Sequence, residues 1–178
     1  STVMAVILGT GMGSGLILND RLHRGPNGNA GEIGHASIDI DGRLCECGRK
    51  GCGEAYLSGP SLGRRYAELT GEALAPDRIH ERYLKGEPAA RRLFAESARI
   101  MGELFADCVN ILDLEAIVLG GGVSNLPVWY DEVPPVMRRA LFGLPGRRVP
   151  ILKAALGDSA GVLGAAYLAL REMGLMEF

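Results

Sequence analysis

Val-Met-Ala-Val-Ile-Leu-Gly-Thr-Gly-Met-Gly-Ser-Gly-Leu-Ile-Leu, residues 3–18, is the stretch from which the fold is read. Its first six residues are apolar or β-branched and read as a buried strand. Glycines then alternate at 9, 11, 13 and 15, and Leu16-Ile17-Leu18 reads as a second strand. Asn19-Asp20 is a two-residue turn signal, so residues 21–24 are expected to return as the third strand of a meander. Residues 25–34 are rich in Gly and Asn and read as loop. Residues 35–40 alternate polar with apolar and are expected to form a short strand, and residues 42–53 form a compact loop.

Helical spacing begins near Ala55 and runs to Leu69, stopped by Gly71, and a short helix is expected after Pro76. Pro88 opens the longest periodic segment. Ala90, Leu93, Phe94, Ala98, Met101, Leu104, Phe105, Val109 and Leu112 recur at steps of three and four, predicting a helix of about six to seven turns with one apolar stripe. Cys108 lies on that stripe and reads as a small core residue. Residues 116–119 read as a strand, Pro127 opens a helix to about Leu141, residues 149–154 read as a further strand, and Asp158-Ser159 is expected to cap a last helix. Strands alternating with helices toward the C-terminus imply a layered α/β domain with part of its sheet parallel. Residues 1–178 read as one domain, without internal repeat or linker.

Composition narrows the function. With 47% hydrophobic residues the chain can bury a sizeable core. Its 19 Lys+Arg against 21 Asp+Glu leave no positive field, so nucleic acid is not an expected partner. No apolar run reaches the roughly 20 residues needed to span a bilayer, so no membrane is expected either. The N-terminus lacks the basic region and cleavage site of a secretory signal, and a chain opening inside a strand is expected to belong to something longer. Of the four cysteines, three fall within eight residues, too clustered for a secreted disulfide scaffold, which points to the cytoplasm.

His35, Cys45, Cys47 and Cys52 give the sharpest chemical signal. Three thiolates and an imidazole are a tetrahedral zinc set, and four protein ligands make such an ion structural. The alternative is a loop of reduced, unliganded thiols; a Cys45–Cys47 disulfide would strain a very short ring. The glycines at 9–15 let backbone N–H groups approach a phosphate, although no Lys-Ser/Thr follows and a strand, not a helix, comes next; a plain glycine-rich hairpin is the alternative. Gly120-Gly121-Gly122 follows a strand and precedes a helix, where a base or ribose can lie against bare backbone. Glu32 and Glu54 flank the cysteine–histidine cluster. Two fixed carboxylates beside an imidazole suit adjacent sugar hydroxyls, and the alternative is a pair of solvated loop charges.

Gly-Glu-Ile-Gly-His (31–35) and Cys-Glu-Cys-Gly-Arg-Lys-Gly-Cys-Gly-Glu (45–54) resemble the signature of the ROK family of bacterial sugar kinases and sugar-responsive repressors. Leu-Gly-Thr-Gly-Met-Gly-Ser-Gly (8–15) resembles its second phosphate loop, and Val-Leu-Gly-Gly-Gly-Val-Ser-Asn (118–125) its adenosine motif. Gly-Asp-Ser-Ala-Gly-Val-Leu-Gly-Ala-Ala (157–166) is similar to its C-terminal helix start. Fructokinases and N-acetylglucosamine kinases are the members most resembled.

The resemblance implies the C-terminal domain of an actin-like, ribonuclease H-like ATPase fold. It implies ATP-dependent phosphorylation of a hexose or N-acetylhexosamine, at the 6-position, with Mg²⁺ on the phosphates and a homodimer as the assembly. It places Glu32, His35 and Glu54 on sugar hydroxyls and His35, Cys45, Cys47 and Cys52 on zinc. Gly9, Thr10 and Gly11 fall on the ATP phosphates, and Gly120, Gly121 and Gly122 on the adenosine. The first phosphate motif and the Asn-Asp segment bearing the catalytic base are missing from these residues, and Asn19-Asp20, in a hairpin turn, does not replace the latter. Gly53 stands where an apolar residue is expected, a change expected to loosen Glu54. The resemblance leaves a second reading, the sugar-sensing effector domain of a repressor; a blander third is a zinc-stabilised domain serving oligomerisation.

Overall fold

The computed structural model describes residues 1–143 and 148–175, without the side chain of Asp158. β1 (Val3–Leu8), β2 (Met12–Leu18) and β3 (Arg21–His23) form the antiparallel meander. Asn19 and Asp20 adopt φ of 53° and 64°, the left-handed pair that matches a tight turn to strand twist. The Asp20 carboxylate lies on the surface, as its hairpin position implies, and accepts from the Ser1 hydroxyl at 2.7 Å.

β4 (Ala116–Gly120) joins the other side of β1 in parallel, and β5 (Ile151–Lys153) continues in parallel beyond it. The sheet order is β3-β2-β1-β4-β5. The crossover from β2–β3 to β4 contains α1 (Glu54–Leu57), α2 (Gly59–Thr70), α3 (Pro76–Leu84) and α4 (Pro88–Leu112); α5 (Val128–Ala140) links β4 to β5, and α6 (Ala160–Glu172) follows. Met4, Val6 and Leu8 of β1 and Ile117 and Leu119 of β4 share one buried core with Phe94 and Phe105 of α4 and Trp129 of α5. The two helices approach closely at Gly102, where a Cβ would lie 2.6 Å from Val136.

The structure departs from the expected elements in four places. Residues 35–40 are not a strand: a 3₁₀ turn at Ile33–His35 leads into a loop that pairs with the chain at the single Ser37–Cys52 bridge and is tied further by Ser37 Oγ donating to the Lys50 carbonyl. The helix expected from Ala55 to Leu69 is two helices. Ser58 is extended at φ −66° and ψ 156°, caps α2 by accepting from the Ser61 N–H, and precedes Pro60 near its first turn. The last strand is three residues long, although the Pro150 carbonyl still accepts from the Ile117 N–H. Ser159 makes no side-chain cap on α6, and the cap expected from Asp158 lies outside the described residues. Cys108 is half-buried, at the edge of the core, its thiol pushed up to about 11 by burial.

Candidate functional site

The loop after β3 folds into a knot. The Cys45 N–H donates to the Arg49 carbonyl at 2.8 Å, the Gly48 N–H returns to the Cys45 carbonyl at 2.9 Å, and the Gly51 N–H to the Arg43 carbonyl at 2.8 Å. Gly51 has φ +75°, and a Cβ there would sit 1.7 Å from the Asp39 carbonyl oxygen, so only glycine closes this turn. The result brings all four sequence-predicted ligands together. His35 Nδ1 lies 3.8 Å from Cys45 Sγ, Cys47 Sγ lies 3.6 Å from Cys52 Sγ, and the four ligand atoms lie within 4.8 Å of one another.

Donors about 2.0–2.3 Å from a shared tetrahedral centre stand roughly 3.3–3.8 Å apart, so the residues fit a zinc ion. Burial pushes the Cys52 thiol up to about 12, while the Arg49 backbone N–H pulls the exposed Cys47 thiol down. A buried thiolate needs a neighbouring cation, which a bound metal supplies. With Nδ1 turned to the sulfurs, His35 keeps Nε2 for another partner.

Glu54 opens α1 immediately behind the knot. Its Oε2 accepts from the Met12 N–H at 2.8 Å, its Oε1 lies 3.9 Å from Cys45 Sγ, and a Cβ on Gly11 would fall 2.7 Å from Oε2. The expected loosening by Gly53 is therefore overturned: a Cβ there would press to 3.0 Å on Leu104, and the carboxylate is fastened to the backbone of the glycine loop. Glu32 is exposed, just before the 3₁₀ turn that carries His35.

The glycine loop leads into a cleft of about 610 Å³. Gly9 and Thr10 line it; Gly11 does not, and sits instead against Glu54. Of the three glycines after β4, Gly122 lines the cleft. Gly120 packs beside Ile7 and Ala154, and Gly121, at φ +84°, lies over the Leu8 carbonyl, so these two shape the backbone that presents Gly122. That turn is braced by Trp129, whose Nε1–H donates to the Val123 carbonyl at 2.8 Å, and by Tyr130, whose hydroxyl donates to the Ser124 carbonyl at 2.9 Å.

Sequence reasoning missed the opposite wall, formed by Gly59, Pro60 and Gly63 of α2 and by Leu74, Pro76 and Asp77 around the start of α3. Its signal was Ser58-Gly59-Pro60, a helix start that the apolar spacing concealed. The Gly59 N–H donates to the Gly9 carbonyl at 2.8 Å, clamping α2 to the glycine loop.

The ROK family profile matches residues 1–172. The chain belongs to the ROK family. N-acetyl-D-glucosamine kinase of Pasteurella multocida (strain Pm70) is 36% identical over 181 residues, covering 95% of this chain and 59% of that protein. A ROK family glucokinase from Streptomyces griseus, solved with glucose and AMPPNP, superposes with a TM-score of 0.84 at 36% identity, over 94% of this chain and 60% of that one. The ROK hexokinase from Thermus thermophilus gives a TM-score of 0.86 at 34% identity, over 96% of this chain and 58% of that one. These neighbours place the mixed sheet and its helices in the actin-like fold of ROK sugar kinases. The chain spans about 59% of the length of the curated relatives it matches. No described helix is long and apolar enough to cross a membrane.

Proposed function

We propose that these residues form the C-terminal domain of a ROK sugar kinase that transfers the γ-phosphoryl group of ATP to a hexose or N-acetylhexosamine, at the 6-hydroxyl. One observation carries the reading: Glu54 stands between the metal-ligand knot and the glycine loop, bonded to the Met12 N–H and within 3.9 Å of Cys45 Sγ. A sugar held by this carboxylate lies next to a loop suited to phosphate.

The roles follow from the donors and acceptors. Glu54 Oε1 and the exposed Glu32 carboxylate accept from sugar hydroxyls, and His35 Nε2 engages a third. Zinc, when bound, fixes the four donors as a structural ion with a closed coordination sphere. The backbone at Gly9 and Thr10 receives the phosphates of magnesium-bound ATP, and the cleft bounded by Gly122 and α2 takes the nucleoside. Such transfer depends mainly on positioning and on stabilising spread negative charge. Among the described residues no carboxylate matches the family's catalytic base, so the 178 residues by themselves are proposed not to turn over. The 610 Å³ cleft beside an intact phosphate loop favours a kinase over a sugar-sensing effector domain.

The test is a coupled ADP-release assay with glucose, N-acetylglucosamine, mannose and fructose on the complete protein. Sugar-dependent turnover is expected there, with kcat/KM for the sugar falling in Glu32→Ala; an unchanged kcat/KM would remove Glu32 from the site. Turnover by the isolated 178 residues would overturn the division of labour.

A further inference from the structure

The cleft has a neighbour. A small crevice of about 30 Å³ shares Thr10 and Pro60 with it and continues to Cys45, Glu54 and Arg64. Together the two linings hold three carboxylates, those of Asp77, Glu46 and Glu54, and a single cationic side chain, Arg64. A polyphosphate entering along Thr10 meets acidic neighbours on both sides and needs a cation to be held there.

Arg64 is placed for that task and not otherwise spent. It follows Gly63 on α2, and its Nη2 donates to Ser61 Oγ at 3.0 Å. Ser61 is itself buried, donating to the Glu54 carbonyl at 2.9 Å and accepting from Ser58 Oγ at 2.8 Å, so it anchors the guanidinium to the turn that faces Thr10. Its neighbour Arg65 is buried and committed to the Tyr56 carbonyl, Ser97 and Glu96. The nearby Arg43 is paired with Glu68. Arg64 is exposed and, among the described residues, makes no ion pair within 4.0 Å. A guanidinium fork with free N–H groups matches phosphate geometry and stabilises charge on a phosphoryl group in transfer.

We propose that Arg64 is the phosphate-binding cation of this domain, contacting the terminal phosphates where the cleft meets the crevice beside Glu54. The inference rests on the nucleotide reading of the cleft given above. It is tested by calorimetric titration of the complete protein with ATP, in the presence of Mg²⁺, and with adenosine. Wild type is expected to bind ATP more tightly than adenosine. Arg64→Gln should weaken ATP about tenfold, as the loss of one charge-assisted contact implies, and leave adenosine unchanged. Arg64→Lys should recover part of the loss, and unchanged thermal melts show that both variants fold.

An ATP affinity untouched by Arg64→Gln, or an equal loss for adenosine, would overturn the role of Arg64 while leaving the cleft as a nucleotide site. Failure of wild type to bind either ligand would overturn the nucleotide reading itself, and this inference with it.

Discussion

The two faces of the sheet are built differently. On one, Met4, Val6, Leu8, Ile117 and Leu119 are sealed beneath α4 and α5. On the other, the register aligns Ala5 with Val118 and Leu152, and Ile7 and Leu152 remain 46% and 47% exposed. α6 shares that openness, with Val162 74% exposed and no residue buried. Parallel strands ordinarily have both faces covered. The contrast teaches that, within these residues, the packed core lies on the α4–α5 side, and that the same side carries the site, because α1 and α2 connect the knot and the glycine loop to α4.

Truncations should therefore separate the faces. Phe105→Ala, in the sealed layer, is expected to cost about 3–5 kcal/mol in urea denaturation. Ile7→Ala, on the open face, is expected to stay within about 0.5 kcal/mol. Equal losses would break the comparison. Between core and knot, Arg65→Met leaves the Tyr56 carbonyl and Ser97 without their donor, an expected loss of about 1–3 kcal/mol in the same experiment.

Closer to the site the effects shrink. The Tyr56 hydroxyl accepts from the Arg43 N–H at 3.0 Å, and its oxygen fills the notch at Gly42, where a Cβ would lie 2.3 Å away. Tyr56→Phe should cost about 1 kcal/mol and speed zinc release to a chromogenic chelator, whereas Leu163→Ala on α6 should alter neither.

The smallest effect is one of pH. His80 is buried, stacked 5.7 Å from Tyr83 and edge-on to Phe94 at 5.8 Å, and burial pushes its pKa below the usual value. The unfolded chain then binds the proton more readily. The contribution of His80 is complete above about pH 6.5 and is lost as the pH falls through the lowered folded value. Denaturation between pH 7.5 and 5 should show a stability decline that His80→Gln flattens; an unaltered decline would assign it to other groups.

Much of this architecture was legible in the residues. Alternation and turn chemistry give the meander, and the apolar stripe gives α4 to its full length, because both are local signals. The cysteine–histidine spacing gives the knot, because four ligands in 18 residues must converge if they bind one ion. The residues 35–40 resist such reading: their alternation mimics a strand, but closure around Gly51 outweighs it. The break at Ser58 is hidden for a related reason. Apolar spacing continues across it and hides the Ser58-Gly59-Pro60 helix start, and the tertiary bond from the Gly59 N–H to the Gly9 carbonyl holds the chain where it turns. The α2–α3 wall of the cleft was invisible because it is assembled from residues that become neighbours only on folding.

The whole site rests on the knot, which sets Glu54 between Cys45 and the glycine loop. X-ray absorption at the zinc edge, on chain loaded with one equivalent of zinc, examines it directly. The prediction is a shell of three sulfurs near ~2.3 Å and one nitrogen near ~2.0 Å. A shell dominated by oxygen, or chain that retains no zinc after desalting, would contradict it.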